Sequence, residues 1–191
     1  MSPKDYAVLA QRAYAEPPQI GAESSAARAI IDGSAVAFPG TNNAECLLAD
    51  IDAELINVAH LGRLHAGFWM AFLEIEADLL PLSPDATVGH SEGAALAIIY
   101  AAVLCLNGKP PKAVWAFEPP RVSADDSIGQ LLRSNGVELN LYRHGNDAIT
   151  EIPNLLHDWR HPGPLIQFGT PALPIPNLID HEIARVIEAL S

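Results

Sequence analysis

The run from Ala94 to Leu106 carries no charged side chain and a single hydroxyl, that of Tyr100, and it lies between two short β-type segments, Ala86-Thr87-Val88 and Ala113-Val114-Trp115-Ala116-Phe117. A helix that is apolar all round must be buried on every side. This one falls short of the roughly 20 residues of a membrane span, so it belongs in a core. The alternation continues downstream: Asn107-Gly108 closes the apolar helix, Ser127 to Ser134 reads as another helix ended by Asn135-Gly136, and Val137 to Tyr142 reads as a strand. Strand, helix, strand, helix, strand implies right-handed crossovers. The expected fold class is therefore α/β, with a mainly parallel central sheet and helices on both faces.

Upstream, Ser2-Pro3 supplies a cap and a proline at the first helical position, and Tyr6, Leu9, Ala10 and Ala13 share one face before Pro17-Pro18 stops the helix. Ala29-Ile30-Ile31 and Ala35-Val36-Ala37-Phe38 flank Asp32-Gly33, a pair that tolerates the positive φ of a tight hairpin. Glu45 to Val58 reads as a helix with leucine or isoleucine at 47, 48, 51 and 55 and a solvated acidic face. Gly62 to Gly67 reads as a break, and Phe68 to Leu80 as a helix stopped by Pro81 and Pro84. Prolines 153, 162, 164, 171, 174 and 176 make Ile152 to Asn177 an extended loop, and His181 to Leu190 a last helix. Without repeats or a low-complexity linker, residues 1–191 are expected to form one domain with room for a real core.

Twenty-three acidic residues against 11 basic ones give a net charge of -12. Such a surface repels phosphate backbones and anionic headgroups, so no nucleic-acid partner is expected, and the shortness of the 94–106 apolar run means that no integral membrane association is expected either. Cys46 and Cys105 are isolated and read as small buried hydrophobes. Histidines and carboxylates show no helical metal-ligand spacing, so neither a metal nor a cofactor is expected. Met1 to Tyr6 shows no basic stretch leading into an apolar core, and the expected location is cytoplasmic.

The chemistry concentrates at Gly89-His90-Ser91-Glu92-Gly93, a Gly-X-Ser-X-Gly pattern set between the strand at 86–88 and the apolar helix. A serine on a sharp strand-to-helix turn needs small neighbours, and the helix then aims its first N–H groups at a developing oxyanion. A serine nucleophile needs a base, and the base an orienting acid. Asp147 stands just past the strand ending at Tyr142, at the carboxyl edge where functional loops gather. Of the histidines, His90 lies inside the turn, His65 precedes a Gly-Phe helix start, and His60 and His144 have no functional context. His157, His161 and His181 all follow Asp147, and local pattern alone leaves the base open among them.

Several segments together resemble the class 3 lipase family, the fungal-lipase branch of the α/β-hydrolases. Phe38-Pro39-Gly40-Thr41 resembles its Phe-Arg-Gly-Thr/Ser oxyanion motif, Leu64-His65-Ala66-Gly67-Phe68 its His-X-Gly-Phe helix start, and Gly89 to Ala95 its Gly-His-Ser-Leu-Gly-Gly-Ala elbow. Phe117-Glu118-Pro119-Pro120-Arg121-Val122 is similar to its Phe-Gly-X-Pro-Arg-Val, Asn146-Asp147 with Pro153 to its Asn-Asp followed by Pro, and Asp180-His181 to its terminal Asp-His. The resemblance runs from about Ile30 to the carboxyl terminus. It implies a minimal α/β-hydrolase with Ser91, Asp147 and His181 as triad, His181 being preferred over His157 and His161 as base. It also implies an oxyanion hole from Thr41, through its N–H and hydroxyl, and the N–H of Glu92.

Two departures stand out. Pro39 replaces an arginine that could brace the oxyanion loop, and Glu92 replaces an apolar residue beside the nucleophile. Residues 42–50 fall where the family carries its lid, and the packing of Phe68, Trp69, Pro120 and Leu155 is expected to set the pocket. The expected activity is hydrolysis of small-molecule or lipid carboxylic esters. Acyl transfer with the same triad, and a catalytically silent fold kept for binding, are the alternative uses of such a site.

Overall fold

The computed structural model describes residues 1–41, 54–154 and 157–190. Helix α1 (Pro3–Ala15) starts as its sequence dictates: the Asp5 N–H donates to the Ser2 hydroxyl at 3.3 Å and the Ser2 N–H to the Asp5 carboxylate at 2.7 Å, a capping box. Strands β1 (Ile20–Gly21), β2 (Arg28–Asp32) and β3 (Ala35–Phe38) run antiparallel, with Gly33 of the β2–β3 turn at φ 57°. Strands β4 (Leu55–Val58) and β5 (Gly62–His65) form a separate antiparallel ribbon. Helix α2 (Ala66–Leu79), β6 (Ala86–His90), α3 (Glu92–Leu106), β7 (Ala113–Phe117), α4 (Ser127–Ser134), β8 (Glu138–His144), β9 (Ile166–Phe168) and α5 (Ile183–Ala189) follow.

The main sheet has the order β1-β2-β3-β6-β7-β8-β9 and is parallel from β3 onward. Side chains alternate across it, as strand geometry demands. Val36 and Phe38 face a core shared with α2, α3 and α4, while Ala35 and Ala37 face α1 and α5. Helix α3 is buried from Gly93 to Cys105, the outcome its uniformly apolar run requires. Helices thus cover both faces, and the carboxyl ends of β3, β6 and β8 open onto one edge. No helix among the described residues is long and apolar enough to cross a membrane.

Three local readings are corrected. Residues 55–58 are strand rather than the end of a helix, because the supposed break at 62–65 supplies an antiparallel partner, pairing Leu55 with His65 and Val58 with Gly62. The β-branched content of Ile56 and Val58 suits that pairing better than a helix. Residues 45–53 of that expected helix, with Cys46, and the proposed lid at 42–50 lie outside the described residues. The proline-rich tail is not wholly loop: between Pro164 and Pro171, Ile166–Phe168 retains its N–H groups and adds an edge strand parallel to β8. Finally, the last helix begins at Ile183 with Glu182 as its cap, so His181 sits in the preceding turn, its N–H bonded to the Leu178 carbonyl.

Candidate active site

Ser91 occupies the turn from β6 into α3 with φ 57° and ψ -129°, a strained conformation for a side-chain-bearing residue. The flanking glycines explain how the chain tolerates it. A Cβ at Gly89 would collide with the Gly93 carbonyl, and one at Gly93 with the carbonyls of Phe38 and Pro39 at the end of β3. Likewise a Cβ at Gly40 would lie 2.7 Å from the Ser91 Cβ and 2.8 Å from the His90 carbonyl oxygen. Strand β6 therefore delivers the serine, and the close approach of β3 sets the Pro39-Gly40-Thr41 loop beside it.

The Ser91 Oγ lies 2.8 Å from Nε2 of His181, and His181 Nδ1 lies 3.0 Å from Oδ1 of Asp147. All three residues are buried. The Nδ1–H is not squarely aligned with the carboxylate oxygen, a looseness common before substrate binds. An acid facing Nδ1 keeps the proton there and leaves Nε2 to accept from the serine hydroxyl. Burial raises the Asp147 carboxyl, but contacts from His181 and Glu118 and the 3.0 Å hydrogen bond from the Ile149 N–H outweigh it, holding the acid below the ordinary aspartate range.

The loops bearing the acid and the histidine are fastened to each other. The Ala148 N–H donates to the Asn177 carbonyl and the Asn177 N–H to the Asn146 carbonyl, at 3.1 and 2.9 Å. The fully buried carboxylate of Asp180 accepts from the N–H groups of Asn146 and Ala172, each at 2.9 Å, and from Asn177 Nδ2 at 3.0 Å.

His90 is the second brace. Its Nε2 lies 2.9 Å from the His181 carbonyl oxygen and must donate to it, so Nδ1 accepts from the Tyr14 hydroxyl at 2.7 Å. Burial, reinforced by the neighbouring His181, lowers His90 to about 3, so it stays neutral in this role. The Tyr14 hydroxyl also packs so closely on Gly40 that a Cβ there would collide with it, which sets α1 against the loop that carries Thr41.

Thr41, half-buried, lines a cavity of about 300 Å³ together with Tyr14, His90, Leu178 and His181. Glu92 is the first residue of α3, so its N–H has no intrahelical carbonyl to bond. Its side chain is partly buried, and burial followed by repulsion from Glu74 raises its carboxyl.

The remaining histidines are engaged elsewhere. His65 caps α2, accepting from the Phe68 N–H at 3.4 Å and stacking on Phe68. His144 Nδ1 meets the Asp180 carbonyl oxygen at 3.1 Å, His161 Nε2 donates to the Thr150 carbonyl at 2.9 Å, and His157 packs edge-on to Trp159. His60 is exposed at φ 65°. Phe68, Trp69 and Pro120 are not among the residues lining this cavity: Phe68 stacks on His65, Trp69 stacks on Phe72 and Pro120 is buried, while Leu155 lies outside the described residues.

Two residues at the site have no counterpart in the sequence reading. Tyr14 lies off the apolar face formed by Tyr6, Leu9, Ala10 and Ala13, and nothing local in the sequence marks it. Glu118 did carry a signal, an acid directly after a core strand at the same sheet edge as Asp147. It is fully buried, and its Oε1 accepts from the His144 N–H at 2.6 Å.

A family model described as Lipase (class 3) matches residues 35–157, a span holding Thr41, Ser91, Glu92 and Asp147. A search of curated proteins finds no match. Among solved structures, lipase II from Rhizopus niveus superposes with a TM-score of 0.65 at 18% identity, over 77% of this chain and 68% of that one. The Rhizomucor miehei lipase propeptide complex gives 0.72 at 17% identity, over 87% of this chain and 67% of its own. The mono- and diacylglycerol lipase from Aspergillus oryzae gives 0.61 at 22% identity, over 72% of this chain and 56% of its own. At such identities the likeness is one of fold, that of the α/β-hydrolases.

Proposed function

Because this chain belongs to the class 3 lipase family, whose activity is ester hydrolysis, we propose that it cleaves carboxylic esters through an acyl-enzyme formed on Ser91. The observation that carries this reading is the buried relay in which Ser91 Oγ stands 2.8 Å from His181 Nε2 and His181 Nδ1 3.0 Å from Asp147 Oδ1.

In this proposal His181 Nε2 takes the hydroxyl proton as Ser91 Oγ bonds to the ester carbonyl carbon. Negative charge moves onto the carbonyl oxygen, where the N–H groups of Thr41 and Glu92, the Thr41 hydroxyl and the amino end of α3 receive it. Collapse breaks the bond to the alcohol, which leaves with the proton held by His181. Water, deprotonated by the same Nε2, then attacks the acyl carbon and releases the acid, regenerating Ser91. Asp147 stays ionised throughout and holds the imidazolium in place. The family and the apolar residues around the cavity support a lipid ester as substrate, and the roughly 300 Å³ of the cavity supports an acyl chain of modest size.

Hydrolysis of a p-nitrophenyl ester series from acetyl to long acyl chains, by the wild type beside Ser91→Ala, tests the proposal. Turnover is expected only in the wild type, and a fluorophosphonate probe is expected to label Ser91. Equal turnover by both proteins would overturn the nucleophile assignment, and absence of both turnover and labelling would favour a silent binding fold.

A further inference from the structure

Asp147 uses one carboxylate oxygen and leaves the other idle. Its Oδ1 accepts from the Ile149 N–H and faces His181, whereas its Oδ2 is buried with no donor. Glu118 shows the mirror arrangement: Oε1 accepts from the His144 N–H, and Oε2 is buried with no partner. Carboxylate and imidazole atoms of Glu118, Asp147 and His181 lie within 4.8 Å of one another. Two ionised carboxylates at this distance, both shut away from water, repel strongly, while two orphaned buried oxygens each forfeit a hydrogen bond. A single proton between them removes both penalties. The backbone gives an independent sign that this side chain is placed for a purpose: Glu118 sits at φ 54°, where glycine is at ease and the resembling motif carries glycine.

We propose that Glu118 is a positioning residue for the triad, remaining protonated and donating a hydrogen bond from Oε2 to Oδ2 of Asp147. The bond pins the Asp147 carboxylate so that Oδ1 points at His181. It leaves the net charge of the triad unchanged, because the second acid is neutral. The titratable and charged groups around Glu118 are Asp147, His181, neutral His90, and Arg143, whose guanidinium pairs with Glu151 at 2.6 Å. The His144 ring is turned to Asp180 and offers only its backbone N–H. Burial first, then Asp147, keeps the Glu118 proton bound well above the ordinary glutamate range. When Glu118 does ionise, at high pH, the donor is lost and two like charges face each other, so activity falls.

This inference rests on the hydrolase reading, and wild-type turnover with fluorophosphonate labelling of Ser91 establishes that reading first. Glu118→Gln keeps a donor toward Asp147 without a titrating group, and Glu118→Gly relieves the backbone while removing the donor. Glu118→Gln is expected to retain kcat within about threefold, and Glu118→Gly to lose about tenfold in kcat at unchanged KM, the scale of one charge-assisted hydrogen bond. In the pH profile of kcat/KM, Glu118→Gln is expected to keep the acid limb of the wild type in place, since one neutral group replaces another, and to lose the alkaline fall. A shift of the acid limb to lower pH in Glu118→Gln would mean that the wild-type residue is an anion, and would overturn the proposal. So would equal kcat in wild type and Glu118→Gly. The carboxyl titration of 13C-labelled Glu118, followed by NMR, needs no turnover: an ordinary glutamate midpoint overturns the proposal even if no ester is cleaved.

Discussion

The hydroxyl of Tyr14 lies 2.7 Å from Nδ1 of His90, and this contact joins the amino-terminal helix to the nucleophile turn. From His90 the link passes to the His181 carbonyl, and the Tyr14 hydroxyl also packs closely on Gly40, so buried contacts join the Pro39-Gly40-Thr41 loop to the His181 segment. Pro39 has no charge with which to brace that loop, and the tyrosine provides support from another direction. Tyr14→Phe leaves His90 Nδ1 buried without a donor, which costs about 1–3 kcal/mol. Urea unfolding is expected to report that loss, accompanied by a fall in kcat larger than any change in KM.

Asp147→Asn is expected to lower kcat by about 10⁴ while leaving fluorescence and urea midpoint near wild type, because an amide can orient the imidazole in the wrong tautomer. Steady-state kinetics beside the unfolding curve checks this. A drop of similar size with His161→Ala would move the base away from His181.

Removing only the Thr41 hydroxyl, as Thr41→Val, tests the proposed oxyanion hole by separating the hydroxyl from the N–H. A donor made in the transition state but not to the ground-state ester is worth about 10²-fold in kcat, with KM little changed. A raised KM at constant kcat would instead assign Thr41 to substrate binding.

Gly93→Ala places a Cβ against the Phe38 and Pro39 carbonyls, backbone atoms at the end of the strand that pairs with β6. The expected loss is about 3 kcal/mol in denaturant unfolding, together with activity.

Two acids shift stability in opposite senses with pH. The folded-state pKa of Asp180 is depressed: burial raises it, and the N–H donors of Asn146 and Ala172 with the Asn177 amide more than offset that. Its contribution is present above the unfolded aspartate value and lost as pH falls through the folded one. Glu118 is raised, so the folded state holds a proton that the unfolded chain has released. Stability therefore declines as pH rises above the ordinary glutamate range toward the folded value. Urea midpoints measured from pH 3 to 9 are expected to show the acid loss shrink in Asp180→Asn and the decline on the alkaline side flatten in Glu118→Gln.

What the residues alone determined was everything that depends on local periodicity and local sterics. The uniformly apolar 94–106 run could only be a core helix, and the segments at 113–117 and 127–134 have the bounds their patterns indicate. Gly89 and Gly93 fix the serine turn because any Cβ there meets backbone. The position of Asp147 past β8 followed from the rule that functional loops leave the carboxyl edge of a parallel sheet. Tertiary structure decided what pairs across distance. Residues 55–58 became strand only because 62–65 were there to bond them. Among the histidines after Asp147, spacing could not separate one from another; the fold does so by position, because the 170–180 segment is sewn to the Asp147 loop through Asn177 and Asp180 and carries His181 to Ser91. The contacts of Tyr14 and Glu118 were out of reach for the same reason. Hydrogen bonds between groups separated by 76 and 26 residues leave no periodic trace in a sequence and exist only once the sheet has brought its edges together.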